Sequence, residues 1–206
     1  MALQTIVKVS NVNNLTDARY CAGMGVDLLG FSMDSNSPDY VDPVRFAEIR
    51  GWVSGVQIVG ETSSDHPEQI EQLLANYQPD LLQVDELALL PYLSTFGKPL
   101  LLRVELAGTS LEQLDALADT ALPGIDYLFL ESQSTVHLDD DLKATLARLA
   151  ARHPVLLGIS FDPDTIQNLL TDLPIAGIAL TGGNEERPGS RDFGALMDVL
   201  EAIEIE

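Results

Sequence analysis

The sequence predicts an α/β protein, a single (β/α)8 TIM barrel occupying residues 1–206, on three observations. Eight short apolar runs alternate with amphipathic helical stretches along the 206 residues. The runs are nearly continuous in Val, Ile and Leu, as in parallel strands covered on both faces. Their number favours a closed barrel over an open doubly wound sheet.

The first unit is Thr5–Val9, a polar turn at Asn11–Asn14, a helical stretch from Leu15 to Met24 stopped by Gly25, and a second strand within Asp27–Met33. Two strands joined by a helix are most simply parallel, because the helix must carry the chain back over the sheet. Further strands are expected at Gly55–Val59, Asp80–Val84, Pro99–Glu105, Ile125–Leu130, Val155–Ile159 and Ala176–Leu180. Pro43 opens the second helix, as suits proline in a first turn. Asp65–Glu68 opens the third, with Ile70, Leu73, Leu74 and Tyr77 on one face. Leu87–Phe96 forms the fourth and ends at Gly97, and Ser110–Gln113 opens the fifth. Asp139–Arg152 carries acids early and arginines late, matching the helix dipole. Asp162-Pro163 begins the seventh helix, and the last runs from Ser190 to the C-terminus. No low-complexity segment or Gly/Ser linker divides the chain.

Composition narrows the function. Thirty-two acidic and 11 basic side chains give a formal net charge of −21. Such a surface repels nucleic-acid phosphates and anionic lipid, so neither nucleic acid nor membrane is an expected partner. No apolar run has the length of a membrane span, and the N-terminus lacks the features of a signal peptide. One cysteine, Cys21, excludes an internal disulfide and fits a reducing, cytoplasmic setting. The acidity reads as a solvated surface or adaptation to a salty medium, or else as a face for a basic partner. The oligomeric state stays open between monomer and homodimer.

In a barrel of this kind the chemistry lies at the C-terminal strand ends. These carry Ser10-Asn11, Met33–Tyr40, Gly60–Thr62, Asp85-Glu86, Glu105, Glu131-Ser132, Gly158–Ser160 and Thr181–Glu186. The stretch KVSNVNNLTDARYCAGMGVDLLGF at Lys8–Phe31, SPDYV at Ser37–Val41 and TGGNEERPGSRD at Thr181–Asp192 together resemble the phosphoribosylanthranilate isomerase family of tryptophan biosynthesis. That family's patterns are K-[IV]-C-G-[IV]-T, G-A-D-x-x-G-F, S-P-R-x-[IV] and S-S-G-V-E-x-x-P-G-x-K-D. The resemblance implies a barrel that performs an Amadori rearrangement of an anthranilate-linked ribose phosphate, without a cofactor. It also implies a small-molecule ligand, a phosphorylated one if the family's substrate is kept.

The family places a cysteine base after the first strand and an aspartate acid after the sixth. Here those positions hold Ser10 and Glu131. A thiol is readily tuned toward neutrality, whereas a serine hydroxyl needs an adjacent base. A carboxyl moved by one methylene is misplaced by about 1 Å, a shift that can cost on the order of 10²-fold in rate. Asp39 stands in place of the arginine that holds the anthranilate carboxylate. Asp85-Glu86 replaces the H-G of Q-L-H-G after strand four. The G-G-x-G turn after strand six is missing, and the A-G-G turn after strand seven has become Leu157-Gly158-Ile159-Ser160. Thr181-Gly182-Gly183 keeps the small residues that let backbone amides approach an anion.

The catalytic candidates are therefore Glu131 and Ser10. The ligand-binding candidates are Asp39, Asp85, Gly158, Ser160, Thr181, Gly182 and Gly183. Asp39, Glu61, Asp85, Glu86, Glu105 and Glu131 form an oxygen-rich set without the spacing that fixes a metal site. His66, His137 and His153 show no zinc spacing, so no metal is expected. Two functional readings stand. One is an isomerase with Glu131 as its acid. The other is a paralogue that has lost this chemistry and binds another small ligand or serves as an interaction protein.

Overall fold

A computed structural model describes residues 2–182, 185–187, 190–191 and 194–205. Eight parallel strands close into a barrel in chain order: β1 (Ile6–Ser10), β2 (Leu28–Ser32), β3 (Gln57–Glu61), β4 (Leu81–Val84), β5 (Leu100–Glu105), β6 (Ile125–Glu131), β7 (Val155–Gly158) and β8 (Gly177–Thr181). Closure is made by β1 against β8, in register from Ile6–Gly177 to Ser10–Thr181. The helices are α1 (Leu15–Gly23), α2 (Pro43–Trp52), α3 (Pro67–Tyr77), α4 (Leu90–Leu93), α5 (Leu111–Ala118), α6 (Asp140–Ala150), α7 (Ile166–Asp172) and α8 (Gly194–Ala202). Ala2–Leu3 pairs antiparallel with Glu204–Ile205, a clip between the two ends that the sequence did not suggest.

The apolar strands divide by alternation. Val7, Val9, Leu29, Phe31, Leu82, Leu102, Leu128, Leu130, Leu157 and Ile178 face outward into the layer beneath the helices. Leu28, Val59, Leu81, Leu101, Phe129, Leu156 and Ala179 fill the interior. Continuing the inner phase toward the strands' C-terminal ends gives Lys8, Ser10, Ser32, Glu61, Gln83, Arg103 and Glu131. The plug of the barrel is apolar below and ionic above.

Local chemistry fixes the ends of the elements. Asn14 caps α1 by accepting from the Asp17 N–H, and Asp42 caps α2 by accepting from Val44 and Arg45. Phe46 lies edge-to-face between Phe31 and Tyr77, at centroid distances of 5.5 and 5.2 Å, and locks α2 to β2 and α3. No helix among the described residues is long and apolar enough to cross a membrane.

Candidate functional site in the barrel mouth

A cavity of about 320 Å³ opens at the C-terminal ends of β1 to β6. Its floor is an ion pair. Lys8, fully buried between Val7 and Val9, places Nζ 2.5 Å from Glu61 Oε1 and 2.5 Å from Ser10 Oγ. The same ammonium stands 4.7 Å from the centre of the Phe129 ring, within cation–π range. Gly30 makes room for this arrangement, since a Cβ there would lie 2.0 Å from Glu61 Oε1.

Asn11, directly after Ser10, has φ = 59°. The isomerase pattern has glycine at this step. Asparagine is among the few other residues that accept the left-handed conformation readily. The substitution therefore preserves the turn that carries the chain over the rim.

The cavity wall is organised by Arg103. Its Nε donates to Glu131 Oε2 at 2.5 Å, Nη1 to Asp85 Oδ2 at 3.3 Å and Nη2 to Glu105 Oε2 at 3.2 Å. Burial works against the guanidinium charge, but these carboxylates, Glu131 foremost, hold the proton more tightly than usual. Partial burial pushes the Asp85 carboxyl above the ordinary aspartate range. Arg103 opposes that shift, while Asp34, Glu131 and Glu61 add to it. Asp34 accepts from Thr62 Oγ1 at 2.6 Å and from the Ser63 N–H and hydroxyl at 2.7 Å each. Gln83 is 5% exposed and lines the cavity, and its Oε1 has no hydrogen-bond partner.

Ser10, Asp85 and Glu131, three of the residues singled out by sequence, meet around this cavity. The remaining ligand-binding candidates stand apart. Asp39 lies on the β2–α2 loop, where its Oδ1 accepts from Asn13 Nδ2 at 3.0 Å. Gly158 ends β7, packed so closely on Phe129 that a Cβ would come within 2.8 Å of the ring. Ser160 is exposed in the loop beyond, Thr181 ends β8 and Gly182 follows it; none of these five lines the cavity. Gly183 lies outside the described residues. Lys8, Gln83 and Arg103 were not singled out by sequence, though each interrupts an apolar run at an inward position. That interruption was the available signal. Among the described residues no group of three or more His, Cys, Asp or Glu is arranged to hold a metal ion.

No protein-family model matches the chain. Curated relatives do. The N-(5'-phosphoribosyl)anthranilate isomerase of Bordetella parapertussis is 23% identical over 211 residues, covering 98% of this chain and 96% of the relative. That of Rippkaea orientalis is 26% identical over 216 residues, covering 96% and 95%. Among solved structures, phosphoribosyl anthranilate isomerase from Thermotoga maritima superposes with a TM-score of 0.78 at 17% identity, over 97% of this chain and 98% of that one. The Thermus thermophilus enzyme gives 0.75 at 21% identity, over 96% and 97%. The structural likenesses carry the fold. Over its full length the chain is thus similar in sequence to phosphoribosylanthranilate isomerases, and it shares their barrel fold.

Proposed function

We propose that this divergent relative of the phosphoribosylanthranilate isomerases binds a small, non-anionic ligand in the mouth bounded by β1 to β6 and has given up the Amadori rearrangement. The observation that carries this reading is the engagement of both positions the reaction would need. Glu131, at the acid position, accepts from the Arg103 guanidinium as an ion-paired carboxylate. Ser10, at the base position, has the buried Lys8 ammonium as its donor rather than a group that would take its proton. A general base must be able to accept the proton it abstracts, and a serine hydroxyl bound to an ammonium is poorly placed to do so. Asp39 adds a negative charge where the family's clamp for an anionic ring substituent would be positive.

A second reading keeps isomerase-type chemistry and uses Asp85 as the proton donor. Its support is that partial burial and the neighbouring carboxylates raise the proton affinity of Asp85 above that of an ordinary aspartate. Under either reading the chain works as one barrel domain in a reducing cytoplasm, in keeping with its single, buried Cys21.

Complementation of a tryptophan auxotroph lacking the isomerase separates the two. The expected result is no growth, with the protein expressed and folded. Growth overturns the first reading, and loss of that growth on Asp85→Asn assigns the second.

A further inference from the structure

We infer that the mouth cavity takes a protonated amine carried on a small hydroxylated frame, an amino sugar or amino polyol in chemical class, with Gln83 and the Glu131–Asp85 wall as its recognising groups. This rests on the reading that the mouth no longer serves an anionic substrate, and it names what replaces it.

Gln83 supplies the first observation. Its side chain is on the inner phase of β4, 95% removed from solvent, and its amide oxygen lacks a donor. Buried polar atoms in native structures are nearly always paired, so an unpaired oxygen on a side chain that lines a cavity points to a donor supplied by an occupant. The second is the charge of the lining. Asp34, Glu61, Asp85 and Glu131 face the cavity with Arg103 as the one cation among the described lining side chains, while Lys8 lies beneath and is engaged by Glu61. Arg103 is shared by three carboxylates. A further cation is therefore stabilised here and a phosphate is repelled. Burial is the main cause of the raised proton affinity of Asp85, and Asp34, Glu131 and Glu61 add to it against Arg103.

The third is the remaining polar surface. Ser10 and Ser32 present hydroxyls, and Asn36 and Gln133 present amides, on the same cavity. Groups that both donate and accept suit the hydroxyls of a sugar frame. At about 320 Å³ the cavity lies near the lower end of the ligand-site range of roughly 300–1,000 Å³, a size for one monosaccharide.

The test titrates the full chain with D-glucosamine, N-acetyl-D-glucosamine and ribose 5-phosphate, read by calorimetry and by amide chemical shifts. Saturable binding of D-glucosamine, on the order of tenfold or more tighter than either control, is expected, since a charge-assisted contact is worth that ratio. Gln83→Leu is expected to weaken it by roughly tenfold while raising the melting temperature, because it removes a buried unpaired oxygen. Glu131→Gln gives a second loss of affinity should the leucine variant fold poorly. Equal binding of the N-acetylated sugar overturns the amine, preferred binding of ribose 5-phosphate overturns the ligand class, and no binding of any probe overturns the site. The auxotroph assay stands apart from these outcomes. Growth there refutes the loss of isomerase activity, whereas failure of D-glucosamine alone refutes only this ligand.

Discussion

Lys8 concentrates the energetics of the mouth in one side chain. Its ammonium is wholly buried and is held by Glu61, Ser10 and the face of Phe129. Removing one partner of such a pair leaves an uncompensated charge, at a cost of about 3–5 kcal/mol, whereas replacing both with apolar groups is often neutral or stabilising. Lys8→Met should therefore lower the unfolding free energy by about 3–5 kcal/mol, and Lys8→Met/Glu61→Leu should recover most of that loss. Urea unfolding of the parent, both single variants and the double variant measures the coupling. Additive losses would show that the two side chains are stabilised separately. Lys8 was visible in the sequence as a letter in a family pattern and as a break in an apolar run. Its role depends on Glu61, 53 residues away, and on the missing side chain of Gly30. A pairing between strands that distant becomes legible only once the inward phase of each strand is known.

At the scale of elements, the alternation of apolar strands and amphipathic helices was fully legible, and the departures have local causes. The third strand was expected at Gly55–Val59 and runs over Gln57–Glu61. Its start is set by contacts that apolar character does not encode, the Gln57 N–H to the Asp27 carbonyl and the Ile58 N–H to the Asp80 carboxylate. The seventh helix begins at Ile166 rather than at Asp162-Pro163. The Asp162 side chain accepts from the Asp164 N–H two residues on, closing a turn of its own before the helix. The Leu87–Phe96 stretch contains only four α-helical residues, flanked by two short 3₁₀ segments. The fifth helix is the counterexample. Ser110 accepts from the Gln113 N–H at 3.2 Å and the Gln113 side chain accepts from the Ser110 N–H at 2.9 Å, a reciprocal cap readable from the letters alone. Ser110→Ala should cost about 1 kcal/mol. Thermal melts followed by circular dichroism would register it, and an unchanged midpoint would mean that α5 is held by packing alone.

At the scale of the whole molecule, the acidic composition weighs on the fold. A net charge of −21 repels itself, which destabilises a compact state. The helices show where the strain falls. Of the helices for which the last turn is described, only α2 and α6 end with a base, Arg50 and Arg148. α7 ends in the exposed Asp172, and Glu201 is exposed near the end of α8. Acids at a helix C-terminus oppose the macrodipole, by about 0.3–1 kcal/mol each at low ionic strength. The screening length falls from about 30 Å at 0.01 M salt to about 3 Å at 1 M. Raising sodium chloride across that range should therefore raise the melting temperature, by roughly 2–4 °C for each kcal/mol of repulsion removed. Asp172→Asn/Glu201→Gln should melt higher than the parent at low salt and show a shallower salt dependence. The buried Lys8–Glu61 pair lies beyond the reach of added ions and contributes equally at both ends. A parent midpoint that is flat or falls with salt would place the balance in such buried pairs rather than in the surface field.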